Sequence, residues 1–134
     1  MDAKEFFDLV VVPNYLDAHQ HPDNLRFVCN AITCMNTVAE FVALERLSYP
    51  DQLKRESLQN KANEIREGNP PLDDLKFWVE TLKHVRKLTN AKDSDHSITA
   101  SSTAITVSEP SSWLHLVDVL DKAFATIKTF REFR

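Results

Sequence analysis

Arg86, Asn90 and His96 are the residues of this chain whose types and order could carry out phosphate chemistry. An arginine neutralises a phosphate group, an asparagine one helical turn later orients it, and a histidine in the following segment acts as general acid or base on a 2′-hydroxyl. The same residues also fit a structural role, in which their side chains bind the last carbonyl groups of a helix. Both interpretations stay open from the sequence.

Arg86 lies in the middle of the apolar stripe of a predicted helix, where a charged side chain is unusual. At 100° per residue, the apolar residues of this stripe fall within about 60° of one line, and Arg86 falls on that line too, at about 20°. A buried guanidinium needs a partner, because an unpaired charge costs several kcal/mol. We expect Glu40 of a neighbouring helix to be that partner, in an internal ion pair that fixes the helix register. The residues of the stripe are Leu72, Leu75, Trp78, Val79 and Leu82.

Glu40 itself belongs to a line of polar residues on the longest predicted helix. One interpretation is that this line is the helix's only solvent-facing strip. The other is that part of it faces Arg86, with Asn30 and Thr37 completing the hydrogen bonds of the guanidinium. The line spans an arc of about 80° and consists of Arg26, Asn30, Thr33, Thr37 and Glu40.

His19 and His21 form a His-x-His sequence beside Asp17 and Asp23. Two imidazoles at this spacing share a metal only on an extended or bent segment, and further ligands must come from elsewhere. Since the sequence gives no convincing position for a third ligand, we expect a solvated turn here. We accordingly expect neither a metal nor another cofactor.

Cys29 and Cys34 lie five positions apart on one predicted helix. That spacing separates them by about 7.5 Å of rise and about 140° of rotation, which is too far for a disulfide bond or a shared metal. The sequence therefore predicts two small buried side chains, consistent with a reducing compartment.

The helical periodicity predicts an all-α, up-and-down bundle that forms a single domain over residues 1–134. A kinked N-terminal helix is expected to break at Pro13, and Asp23 is expected to cap the helix that follows. Residues 92–110 alternate β-branched and polar side chains, which predicts a short β-like or irregular excursion before the last helix. The four main predicted helices cover residues 24–48, 51–66, 72–91 and 111–134. The helix over 51–66 is mostly polar and has a thin inner stripe of Leu53, Leu58, Ala62 and Ile65.

Composition excludes several classes of function. The chain has 134 residues, of which 43% are hydrophobic and 27% charged, as in globular proteins. Its single glycine, Gly68, leaves no room for a phosphate-binding glycine loop. A net charge of −4 argues against a general nucleic-acid binder. The start of the chain lacks a secretion signal, and no apolar run reaches about 18 residues, so we expect a cytoplasmic protein without membrane contact.

A resemblance to known proteins rests on the run Val-Arg-Lys-Leu-Thr-Asn-Ala-Lys at 85–92, followed by His96 and a Ser/Thr-rich stretch. It resembles a pattern in uncharacterised bacterial helical proteins, in which an Arg-x-x-x-Asn-Ala segment ends a helix and leads to a Lys-His pair. Asn30-Ala31 and Pro13-Asn14-Tyr15 are similar to the same group, which in turn resembles the HEPN superfamily.

The HEPN resemblance implies a helical bundle, often dimeric. Many members are metal-independent ribonucleases or toxins that use an arginine and a histidine four to six residues later. Of this chain's residues, the resemblance places Arg86, Asn90 and His96 in such a site. The spacing departs from the pattern, because His96 lies ten positions after Arg86.

These observations favour a non-catalytic, HEPN-like helical interaction module that self-associates, as a homodimer, or binds a partner protein. The alternative is a metal-independent ribonuclease or toxin-like component of a bacterial defence or toxin–antitoxin system, with RNA as its partner. A metal or small-ligand site inside the bundle is a third, weaker interpretation. Phe77 and Leu88 lie opposite Trp78 and Val79 on their helix and form a second apolar patch. That patch is either a dimer seam or a packing surface within the monomer.

Overall fold

The computed structural model describes the backbone of residues 1–91 and 110–134, and the side chains of residues 1–83 and 115–134. This part of the chain is all-α, as predicted. The predicted β-like excursion lies outside the described residues, except that Pro110 begins the last helix. The helices are α1 (Ala3–Phe6), a π-helical turn (Phe7–Val11), α2 (Val12–Gln20), α3 (Leu25–Arg46), α4 (Arg55–Glu67), α5 (Pro70–Ala91) and α6 (Pro110–Lys128), with 3-10 turns at Asp51–Leu53 and Arg131–Phe133.

Helix α3 is the centre of the bundle and packs against α2, α4, α5 and α6. By length and composition alone α3 could cross a membrane, and its apolar character is equally that of a helix enclosed by neighbours. Its polar line includes exposed residues at Arg26, Asn30 and Thr33, which confirms a solvent-facing strip there. The buried residues of α3 are Val28, Ala31, Ile32, Met35, Val38, Ala39, Val42 and Ala43.

Contacts between helix ends give the relative directions of the N-terminal segment, α3 and α6. The amide of Ala3, at the start of α1, donates to the carboxylate of Glu45 near the end of α3, at 3.2 Å. At the opposite end of the chain, Glu132 follows α6 and binds Arg46, the last residue of α3. The N-terminal segment therefore runs antiparallel to α3, whereas α3 and α6 end at the same side of the bundle.

The N-terminal helix does not break at Pro13, which corrects the prediction. Val12, although it precedes a proline, keeps helical angles of φ −59° and ψ −50°. Its amide donates to the carbonyl of Phe7, the wider spacing of a π-helix. Since proline has no amide hydrogen to donate, a change of hydrogen-bond spacing at this point lets the helix continue.

Further boundaries differ from the prediction. The last helix ends at Lys128 instead of continuing to residue 134. Asn24, not Asp23, caps α3, because its side chain accepts a hydrogen bond from the Arg26 amide at 3.1 Å. The predicted helix over residues 51–66 begins instead with the 3-10 turn at Asp51–Leu53, and α4 starts at Arg55. Leu53 consequently points into solvent instead of lying on the inner stripe of that helix.

Candidate functional site

The residues predicted to form a catalytic set fall largely outside the described part of the chain. The backbone at Arg86 and Asn90 belongs to α5, and their side chains are outside the described residues. His96 lies outside them altogether. The predicted Glu40–Arg86 ion pair therefore stays a prediction.

The buried cation that the structure does show is Arg66, near the end of α4, with only 3% of its surface exposed. Its Nη2 donates to the backbone carbonyl of Asn36 at 3.0 Å, and its Nη1 donates to Oδ1 of Asn63 at 3.1 Å. Nη2 also lies 3.5 Å from Oε1 of Glu40. Glu40 thus acts as counter-ion to an internal arginine, but the arginine belongs to α4.

This Arg66 cluster joins three helices. Asn36 and Glu40 belong to α3, Asn63 and Arg66 to α4, and Nζ of Lys76 on α5 lies 3.4 Å from Oδ1 of Asn63. Nε of Arg66 and Oδ1 of Asn36 are buried without a hydrogen-bond partner among the described atoms. The guanidinium is buried, and both of its Nη atoms donate to acceptors of the protein. Its evident role is therefore to fix how α4 packs on α3.

A second polar cluster, formed by Tyr15, His19 and Asp121, joins α2 to α6. The Tyr15 hydroxyl donates to Oδ1 of Asp121 at 2.5 Å, and Nε2 of His19 contacts the same oxygen. The Tyr15 and His19 rings meet edge to face, 4.7 Å apart. Burial and the Asp121 carboxylate raise the pKa of Tyr15 above its usual value.

The position of His19 corrects the predicted solvated turn. It lies in the last turn of α2 and is held by Asp121, whereas His21 follows the helix, with its ring 5.2 Å from that of Phe27. The side chains of His19 and Asp121 are both partly exposed. Among the described residues, no group of three or more potential ligands could hold a metal ion.

The two cysteines are free and half-buried, which fits their predicted role as small packing residues. Burial raises the pKa of both thiols, and that of Cys34 reaches about 11. Since the thiolate is the reactive form, neither position is suited to nucleophilic chemistry near neutral pH.

Large apolar side chains remain exposed on separate faces of the bundle. Phe77 on α5 is 61% exposed, so it does not pack within the described part of the monomer, and the Leu88 side chain is outside the described residues. On the N-terminal helices, Leu9 is 65% exposed and Leu16 is 50% exposed. The helical pattern of the sequence predicts that Leu16 points inward, and its exposure corrects that prediction. The spacing of seven residues places Leu9 and Leu16 on one side of a helix.

No protein-family model, curated protein or solved structure matches the chain. A function therefore has to be inferred from the residues of the chain itself.

Proposed function

We propose that the protein is a non-catalytic helical interaction module that self-associates through the exposed side of α5. The observation that carries this proposal is the exposure of Phe77. Leu75 and Val79, on the inner side of the same helix, are already buried in the core, so Phe77 is not needed for packing within the monomer. An exposed aromatic ring on a helix that already buries its inner side is typical of an interface, where aromatic residues are enriched.

The surroundings of Phe77 supply the other parts of an interface. Trp78 is partly buried and meets Phe77 edge to face at 5.6 Å, which extends the apolar surface toward the bundle. Asp73 and Asp74 are exposed in the first turns of α5, and Lys83 is exposed farther along.

The polar clusters also favour a role in binding over one in catalysis. Nη1 and Nη2 of Arg66 donate to protein acceptors, and Asp121 is shared between two side chains of α2. Both clusters therefore have a sufficient structural explanation in helix packing. The resemblance of the sequence to HEPN bundles, which are often dimeric, is consistent with self-association.

Sedimentation velocity of the full chain over a range of concentrations tests the proposal. We expect a reversible dimer of the 15.4 kDa chain. Phe77→Ser should shift the equilibrium toward the monomer and raise the Kd of the dimer by about tenfold or more. Tyr49→Ser is the matched control, because Tyr49 is also an exposed aromatic residue, at 78%, outside α5. A wild-type chain that is monomeric throughout, or a Phe77→Ser variant that dimerises as well as the wild type, would overturn the proposal.

A further inference from the structure

We propose that the outer side of the N-terminal helices binds a basic amphipathic helix of a partner protein. Leu9, Pro13 and Leu16, here called the N-terminal stripe, are all exposed. They follow one another at spacings of four and three residues, so they lie along one side of the helix over roughly 10 Å. Two large aliphatic side chains at this spacing match the anchors by which one helix packs on another.

The exposure of the stripe does not come from a loosely held chain end. Phe7, Val11 and Ala18, on the opposite side of the same helices, are buried in the core. The Tyr15 hydroxyl and His19 imidazole fasten α2 to Asp121 of α6. The stripe is therefore presented by a fixed helix, which lowers the entropy cost of binding a partner.

The π-helical turn at Phe7–Val11 adds to the case for a binding surface. It lies inside the stripe, with Leu9 at its middle and Pro13 just beyond it. Pro13 cannot donate to the carbonyl of Leu9, the residue four positions earlier. Interruptions of this kind within α-helices occur frequently at functional sites.

The charges beside the stripe identify the kind of partner. Glu5, Asp8 and Asp17 are exposed on the same helices, and the carboxylate of Asp8 is 3.0 Å from Nζ of Lys4. Within the described part of the chain, neither Glu5 nor Asp17 lies within 4 Å of a cationic nitrogen. An apolar stripe bordered by these carboxylates complements a helix that carries leucine-like anchors flanked by lysine or arginine. A second copy of this chain would instead bring the same acidic residues together.

This surface is separate from the α5 side on which the proposed self-association depends. The test uses the full chain and a fluorescent synthetic helical peptide of leucine, alanine and lysine, roughly 15 residues long so that it can hold a helix. Its leucines are spaced seven residues apart. Fluorescence anisotropy should show saturable binding, weakened at least tenfold by the double substitution Leu9→Ser and Leu16→Ser. Leu53→Ser, at another exposed leucine, is the control and should bind like the wild type.

Charge substitutions and altered peptides complete the test. The Glu5→Gln and Asp17→Asn double variant should bind several-fold more weakly and with a smaller salt dependence. Phe77→Ser should bind the peptide normally, which separates this proposal from self-association. Equal binding of a scrambled lysine peptide, or of a peptide with glutamate in place of lysine, would overturn the proposal. So would unchanged affinity of the double leucine variant, or a loss of dimer caused by it, provided that circular dichroism shows it folded.

Discussion

The carboxylate of Glu40 lies 3.5 Å from the guanidinium of Arg66, and this pair joins the central helix α3 to α4. The two partners differ in environment, because the Arg66 side chain is buried whereas that of Glu40 is about one-third exposed. The shorter bonds of Arg66 go to a backbone carbonyl and to the Asn63 amide oxygen. The arginine is thus held chiefly by neutral acceptors, and Glu40 contributes a longer, partly screened interaction.

This difference predicts unequal effects of removing the two partners. Arg66→Ala should lower the free energy of unfolding by about 2–4 kcal/mol, since it removes a packed side chain together with its hydrogen bonds to Asn63 and to the Asn36 carbonyl. Glu40→Gln should cost about 1 kcal/mol or less. Urea unfolding of both variants at neutral pH measures these values. Equal losses in the two variants would show that the ion pair itself dominates.

Arg66 could have been found from the sequence by the reasoning that singled out Arg86. It lies four residues after Ala62 and next to Ile65, two buried residues of the thin apolar stripe of α4. The overall polarity of α4 concealed it, because a mostly solvated helix does not lead one to expect a buried charge. The partner of Glu40 could not be predicted from the neighbouring sequence, since Arg66 lies 26 residues away in the chain.

Tyr15 should make the protein less stable in alkali. Its pKa is raised in the folded state, so between the unfolded and folded values the native protein binds more protons than the unfolded chain. The free energy of unfolding should therefore fall as the pH rises above about 10. Tyr15→Phe should lower stability by about 1 kcal/mol at pH 7 and reduce this alkaline slope. Melting temperatures of the wild type and of Tyr15→Phe, measured from about pH 8 to about pH 11, span the range in which tyrosine titrates. Parallel curves for the two proteins would refute this role of Tyr15.

Glu132 should have the opposite pH dependence. Nε and Nη2 of Arg46 donate to its two carboxylate oxygens at 2.7 and 3.1 Å, and this hydrogen bonding holds the pKa of Glu132 below its usual range. The pair should contribute fully above the ordinary glutamate pKa of about 4.3 and lose its effect as the pH falls through the lower folded value.

The variant Glu132→Gln tests this assignment. Its free energy of unfolding should be about 1–3 kcal/mol lower than that of the wild type at pH 7. This difference should shrink as the medium becomes acidic enough to protonate Glu132. Urea unfolding at neutral and acidic pH measures the change. Arg131→Gln is the control, because Arg131 is exposed and contacts Glu132 only at 3.5 Å. A difference that stays constant with pH would contradict the assignment.

The sequence predicted the helices well where their signals are local. Apolar periodicity located α3, α5 and α6, and it placed Phe77 on the side of its helix opposite Val79, which is buried. The errors at Pro13 and Leu53 arose where two hydrogen-bonding patterns compete within a few residues, as a π-helical turn and a 3-10 turn do with an α-helix.

The cluster around Asp121 illustrates what the sequence could not supply. Tyr15 and His19 share one side of α2 because they are four residues apart, and this could have been predicted. Their acceptor lies more than one hundred residues away on α6. Only the packing of α2 against α6 decides which acidic residue they meet.

The central claim, that two copies meet through α5, is tested most directly by photo-crosslinking from position 77. The full chain would carry benzoylphenylalanine in place of Phe77, with a matched protein carrying it in place of Tyr49, which is also exposed. Irradiation should give a covalent dimer from position 77 and little or none from position 49, and mapping of the crosslink should identify α5 of the second copy. No dimer from position 77, or equal yields from both positions, would contradict the account.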